Sequence, residues 1–288
     1  MSSFLYRDFS SQEQIDAQYN ARASIGEAAG GLLQGFADRA ASARARLGSV
    51  LDVRFGPTVD ETLDVFPAAG AGAPVFVFLH GGYWRSLSAK QFSWVACGPC
   101  ARGVTTVVVN YALCPKVTLD EIGRQARAAV AWTFRNIAAY GGDPGRIAVG
   151  GHSAGGQLTA MCLNTDWADW GLPPDPLAAA LPISGVFDIA PLRHSYLQPE
   201  IQLDDGLIAR NSPLFHVRRC ATPLLTSWGG DESAEFARQS EAFHAAWLSC
   251  GNRGELLPQP GRHHLTAIDA FEDPQSALCA WLAARLRP

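Results

Sequence analysis

Arg146-Ile-Ala-Val-Gly-Gly-His-Ser-Ala-Gly-Gly156 is the stretch that decides the fold. It starts as a short apolar run, passes through the glycine-bracketed Ser153 and continues into an apolar helical stretch. A serine on a sharp strand-to-helix turn has strained backbone angles, and small residues two positions before and after it relieve the crowding. The pattern therefore predicts a nucleophilic Ser153 at the end of a buried strand.

Apolar runs typical of strands buried on both faces recur along the chain and alternate with helical stretches. The runs span residues 74–80, 105–111, 146–150, 177–184 and 223–228, with a weaker one at 255–259. Helices are predicted over 89–101, 119–140, 153–163, 232–250 and 266–287, and antiparallel edge strands over 50–55 and 62–66. The alternation predicts an α/β fold, with a mostly parallel central sheet covered by helices on both faces.

The 288 residues are expected to form one domain, 1–288, with two additions to the alternating core. An N-terminal helical segment, 1–48, contains two predicted helices separated by Gly30-Gly31. A small cap-like insertion at about 187–217 interrupts the alternation. Ligands bind at the carboxyl ends of parallel strands, so this insertion is expected to shape the pocket.

Composition excludes several classes of protein. Hydrophobic residues make up 48% of the chain and charged residues 17%, which disfavours disorder. The net charge of -4 argues against nucleic-acid and anionic-membrane partners, and no run approaches the ~18 apolar residues of a membrane span. Without a recognisable signal peptide, the seven cysteines are expected to be reduced thiols in a cytoplasmic protein. A small-molecule substrate is the expected partner, and a homodimer stays open.

Two polar residues follow later strands in the order that a catalytic triad requires. Asp231 follows the fifth apolar run and His264 follows the sixth. Together with Ser153 they give the order nucleophile, acid, histidine. The neighbouring residues His263 and Glu232 remain as rival base and rival acid.

An oxyanion hole is predicted in the loop after the first buried strand, His80-Gly-Gly-Tyr-Trp84. The expected donors are the backbone amides of Gly82, Tyr83 and Ala154. The rings of Tyr83 and Trp84 are candidates for binding the acyl side of the substrate, with packing against the helices as the alternative. No metal site is expected, because a zinc site would need a second pair of ligands at suitable spacing and the sequence has none.

Cys97-Gly-Pro-Cys100 matches the motif of thiol–disulfide exchangers. Such a pair belongs after a strand, at a helix N-terminus that lowers the thiol pKa. Here the motif follows a helical stretch, so we expect it at a helix C-terminus with no redox function.

The loop His80-Gly-Gly-Tyr-Trp84 and the turn Gly151-His-Ser-Ala-Gly155 together resemble the kynurenine formamidase (arylformamidase) group of the α/β-hydrolases, near the hormone-sensitive-lipase-like esterases. Residues 18–22, 143–147 and 184–189 are similar to that group as well, and so is the histidine loop, although its histidine is doubled here. The resemblance implies an α/β-hydrolase fold and the cofactor-free hydrolysis of N-formyl-L-kynurenine to formate and kynurenine.

Two other functions remain in competition with this one. The same residues suit a short-chain carboxylesterase or another aryl amide or ester hydrolase, which differ in the preferred acyl group. A binding module without catalysis is disfavoured by the intact set Ser153, Asp231 and His264.

Overall fold

The computed structural model describes residues 4–287 and contains one eight-stranded sheet in the order β1-β2-β4-β3-β5-β6-β7-β8. The strands are β1 Val50–Arg54, β2 Thr62–Phe66, β3 Ala73–Leu79, β4 Thr105–Val109, β5 Gly142–His152, β6 Leu177–Ile183, β7 Leu224–Gly229 and β8 Gly254–Gln259. Strand β2 pairs antiparallel with β1 and β4, and every other pairing is parallel. The predicted α/β-hydrolase fold with a mostly parallel sheet is confirmed, and each predicted strand is present.

Helices cover both faces of this sheet. In the described residues the α-helices are α1 Gln12–Tyr19, α2 Ala21–Ile25, α3 Ala28–Arg46, α4 Cys97–Ala101, α5 Leu119–Asn136, α6 Ala154–Leu163, α7 Gln198–Ile201, α8 Asp205–Asn211, α9 Ala234–Ser249 and α10 Ala277–Arg285. Side chains alternate along β3, so that Val75 and Val77 join the core cluster under α5, α6 and α9, whereas Phe76 and Phe78 join the cluster under α3 and α10. Both faces of the sheet are therefore packed. None of the helices within 4–287 is long and apolar enough to cross a membrane.

The N-terminal segment differs from its prediction, because α3 runs straight through Gly30-Gly31. The breaks between the helices of this segment lie before these glycines, at Asn20 and at Gly26. The Asn20 side chain accepts a hydrogen bond from the amide of Ala23 and caps α2, which ends at Gly26 with a φ of 72°. Both glycines of α3 lie on its exposed surface, while Phe36 on the other side is buried against Trp94. Tertiary packing thus outweighs the low helix propensity of the glycine pair.

Two predicted helices are also less regular than expected. Residues 89–101 form two 3₁₀ turns, Ala89–Gln91 and Ser93–Ala96, followed by the five-residue α4. The last predicted helix, over 266–287, consists of a 3₁₀ turn at Asp269–Glu272 and α10.

The cysteine pair lies in α4, and Cys97 opens this helix, so the expected position at a helix C-terminus is wrong. Its thiols are nevertheless unsuited to exchange chemistry. Burial raises the pKa of Cys97, and it raises the pKa of Cys100 to about 11. Because the thiolate is the reactive species, this environment disfavours a redox role. All seven cysteines are free thiols.

Candidate active site

Ser153 occupies the turn between β5 and α6, as predicted. Its φ of 58° and ψ of -117° are those of a strained turn, and its amide donates to the carbonyl of Ile183 at 2.9 Å. The side chain is 2% exposed. The turn directs the hydroxyl toward the carboxyl ends of the strands, where ligands of such sheets bind.

The glycine at position 155 is required by a close backbone approach. A Cβ atom there would lie 1.9 Å from the carbonyl oxygen of Leu79 and 2.7 Å from that of His80. These atoms belong to the backbone at the end of β3 and cannot rotate away. The second bracketing glycine thus lets α6 begin directly against the neighbouring strand.

Substituting this glycine is expected to cost stability. Gly155→Ala should lower the free energy of unfolding by about 3 kcal/mol or more, since strand and helix must separate. The matched control is Gly30→Ala in α3, where nothing lies within 4 Å of the added Cβ. That substitution should raise the free energy of unfolding by about 0.5–1 kcal/mol, through helix propensity. Urea unfolding of both variants measures the difference, and equal midpoints would contradict the crowding argument.

A hydrogen-bonded chain links the serine to a histidine and a carboxylate. Nε2 of His264 lies 3.0 Å from Oγ of Ser153, and Nδ1 of His264 lies 2.6 Å from Oε2 of Glu232. The His264 and Glu232 side chains are 7% and 1% exposed. A base in contact with the nucleophile and an acid that orients the base are the elements of serine activation.

The acid in contact with His264 is Glu232, so the expectation for Asp231 is wrong. The Asp231 side chain is exposed, and its residue contributes only a backbone hydrogen bond, from its amide to the carbonyl of Arg262 at 3.0 Å. Consecutive residues of a turn point in different directions. In this turn the longer glutamate is the one that points back over the end of β7. Ser153 and His264 lie together as predicted, and Glu232, the rival acid, takes the third position.

Glu232 is held by two donors besides the histidine. Its Oε1 accepts from the hydroxyl of Ser184 and from the amide of Gly229, the latter at 2.6 Å. A buried carboxylate needs such partners, because an unpaired buried charge is costly. Sequence reasoning gave Ser184 no role, although its position as the first residue after β6 places it at the same edge of the sheet.

Of the two adjacent histidines, His264 is the one whose ring contacts Ser153. Its ring packs between two others, 4.5 Å from the Phe236 ring and 4.6 Å from the His152 ring, centroid to centroid. His263 donates its backbone amide to Oγ1 of Thr266 at 3.0 Å and is not in contact with the serine. His264 is therefore the base that the geometry offers.

His152, inside the turn, braces the histidine loop. Its Nε2 lies 2.8 Å from the carbonyl oxygen of His264, so that the neutral ring donates this hydrogen bond. Burial, together with the nearby His264, holds the pKa of His152 well below its ordinary value. The ring thus stays uncharged beside the base and positions its backbone.

The predicted oxyanion donors lie on the two loops that meet at Ser153. Within the described residues, the amides of Gly82, Tyr83 and Ala154 donate to no protein acceptor. Gly82 has a φ of 121°, and a Cβ there would lie 2.1 Å from the carbonyl oxygen of Ser86, so only glycine suits this turn. Three unpaired amides beside a nucleophile favour a developing oxyanion.

The two aromatic residues of this loop have different surroundings. Tyr83 lines the cavity above Ser153, and its hydroxyl donates to the carbonyl of Tyr19. Burial holds the pKa of Tyr83 well above its ordinary value, so the phenol stays neutral. Trp84 is fully buried, donates to Oε1 of Gln157 at 3.2 Å and does not line the cavity. Its predicted contact with substrate is wrong, and the packing alternative applies.

The cavity over Ser153 has a volume of about 790 Å³, including its open mouth. Its apolar walls contain Leu33, Phe36, Leu87, Phe92 and Leu265. The N-terminal segment supplies the first two of these, as well as Ala21 and Arg22, whereas the 187–217 insertion supplies only Tyr196. The insertion thus contributes one residue to the cavity wall and otherwise packs mainly against α1 and α5, whereas the N-terminal segment contributes four.

Comparisons with known proteins show the fold family of this chain and the proteins to which it is similar. A family model described as alpha/beta hydrolase fold matches residues 76–266. The chain is 28% identical over 238 residues to a kynurenine formamidase of Danio rerio, covering 80% of each protein. It is 30% identical over 254 residues to the esterase LipQ of Mycobacterium tuberculosis, covering 80% of this chain and 59% of LipQ. A solved structure of a "putative thioesterase" from Silicibacter sp. tm1040 superposes with a TM-score of 0.81 at 28% identity, covering 92% of this chain and 97% of the other.

Proposed function

This chain belongs to the α/β-hydrolase fold family, and from that premise we propose that it is a serine hydrolase that removes a small acyl group from an aryl amide. The proposed substrate is N-formyl-L-kynurenine, which yields formate and kynurenine. The observation that carries the proposal is the contact of Ser153 with His264 and of His264 with Glu232, at 3.0 and 2.6 Å.

In this mechanism Oγ of Ser153 attacks the formyl carbon while Nε2 of His264 takes the hydroxyl proton. The amides of Gly82, Tyr83 and Ala154 receive the negative charge that develops on the formyl oxygen. The carbon–nitrogen bond then breaks, and His264 gives its proton to the departing arylamine. Water, deprotonated by His264, releases formate and restores the serine. Throughout, the carboxylate of Glu232 holds the imidazole tautomer and stabilises the imidazolium.

The cavity supports an aromatic substrate with a small acyl group. Phe36, Phe92 and Tyr83 line a space in which an aryl ring can pack, as in small-molecule sites with apolar and aromatic walls. The kynurenine formamidases of Danio rerio and Salmo salar, 28% and 29% identical, each correspond to 80% of this chain. These similarities favour a formyl arylamide among the substrates that the machinery would accept.

A short-chain carboxylesterase is the second candidate. Its specific support is the similarity to LipQ, which equals the formamidases in its coverage of this chain. The same serine, histidine and glutamate would cleave an ester more easily, since an alcohol is a better leaving group than an amine.

A substrate panel separates the two candidates. We would measure kcat/KM of the purified protein for formyl, acetyl and butyryl arylamides and esters, including N-formyl-L-kynurenine, with Ser153→Ala as the blank. The proposal expects the highest value for the formyl arylamide. Turnover of p-nitrophenyl acetate without any turnover of N-formylkynurenine would replace it with the carboxylesterase.

A further inference from the structure

The catalytic cavity has a marked asymmetry of charge. Two arginines, Arg22 and Arg85, line it, and no aspartate or glutamate is among its lining residues. Glu232 contacts His264, is 1% exposed and does not line this space. A cavity with cationic and no anionic walls attracts a negatively charged ligand.

The two arginines have different partners. Arg85 forms an ion pair with Glu200 and lies over the ring of Tyr196, 5.5 Å from its centroid. Arg22 has no ion pair and no side-chain hydrogen bond within residues 4–287. The Arg85 charge is thus compensated within the protein, and the Arg22 charge is available to a ligand.

Arg22 also lies where the cavity opens. A second, shallower hollow shares Arg22, Arg85 and Tyr196 with the catalytic cavity and continues outward past Asn20 and Gly26. The short helix α2, capped by Asn20, carries Arg22 at this junction. A substrate whose acyl group reaches Ser153 would extend its far end toward this arginine.

From these observations we propose that Arg22 is a specificity-determining residue that binds a carboxylate at the end of the substrate remote from the scissile bond. The inference rests on the proposed function, since N-formylkynurenine carries a carboxylate in its amino-acid tail. It goes further because it names the substrate class, which is anionic aryl amides and esters. It also gives the N-terminal segment, through Arg22, a role in substrate specificity. A guanidinium forms charge-assisted hydrogen bonds with a carboxylate and retains its charge at every physiological pH.

The test compares pairs of substrates that differ in the carboxylate. One pair is N-formylkynurenine and 2-formamidoacetophenone, which lacks the amino-acid tail. The other is 3-(3-acetoxyphenyl)propanoate and phenyl acetate. The readout is the ratio of kcat/KM for the charged member to that for the neutral member, measured for the unmodified protein, Arg22→Gln and Arg54→Gln. Arg54 is an exposed arginine at the end of β1, away from the cavity, and serves as the matched control.

Arg22→Gln should lower this ratio about 10-fold, mainly through a higher KM for the charged substrate. Arg54→Gln should leave it unchanged. In the unmodified protein the ratio should fall as salt is raised, because ions screen an exposed charge pair. An unaltered ratio in Arg22→Gln for whichever pair is turned over would overturn the inference. A failure of this inference can be told apart from a failure of the proposed function. If the formyl compounds are not hydrolysed, the ester pair still tests the role of Arg22.

Discussion

Ser153→Ala is expected to lower kcat/KM by about 10⁴-fold or more for every substrate that the protein hydrolyses. The hydroxyl lies 3.0 Å from Nε2 of His264, in a site where it is 2% exposed. Within residues 4–287 the His264 ring has no hydrogen bond to any other hydroxyl, so no neighbouring hydroxyl replaces Ser153 as the nucleophile. Steady-state kinetics on the best substrate of the panel measures the loss.

The fold should survive this substitution. The Ser153 backbone keeps its hydrogen bond to Ile183, and removing a hydroxyl leaves the turn otherwise intact. Thermal unfolding should therefore change little, and binding of a substrate should be retained. Activity that persists in a correctly folded Ser153→Ala protein would rule out the serine mechanism.

Glu232→Gln is expected to lower kcat by about 10³- to 10⁴-fold. The amide oxygen of the new side chain would keep the two donors that now reach Oε1, the Ser184 hydroxyl and the Gly229 amide. Its NH₂ group would then face Nδ1 of His264. That donor selects the tautomer with its proton on Nε2, which points at Ser153 and cannot accept the serine proton. A glutamine of equal size thus tests the charge and the tautomer together.

Asp231→Asn is the matched control for this experiment. It makes the same chemical change one residue earlier in the same turn, on an exposed side chain without a hydrogen-bond partner in the described residues. Its kcat/KM should stay within about twofold of the unmodified protein. If Asp231→Asn caused the large loss and Glu232→Gln did not, the acid would be Asp231, as the order of motifs alone predicted.

Local sequence pattern identified Ser153 and His264 because each signal is local. The glycine bracket reflects crowding around one turn, seen in the 1.9 Å approach of a residue-155 Cβ to Leu79. Apolar runs predicted the six strands β3 to β8, since a strand buried on both faces needs apolar side chains throughout, and alternating runs predicted the edge strands β1 and β2. The glycines that directly follow the first buried strand likewise predicted an oxyanion loop after β3.

Local pattern did not identify the wall of the cavity. Trp84 and Tyr83 are adjacent and aromatic, yet one is sealed in the core and the other faces the substrate space. Arg22 belongs to a segment more than a hundred residues before the nucleophile, and only the docking of α2 beside Tyr196 brings it to the mouth. Such contacts depend on how distant elements pack, which no spacing along the chain encodes.

What the chain determined by itself was the sheet, the turn that presents Ser153 and the histidine loop, because strand burial and glycine crowding act over a few residues. Which of two adjacent acids serves His264 was decided only in three dimensions. Asp231 and Glu232 are equivalent by order and nearly so by chemistry. At the end of β7 the Gly229 amide, together with the Ser184 hydroxyl that follows β6, donates to the carboxylate of Glu232. The shorter side chain of Asp231 stays exposed to solvent.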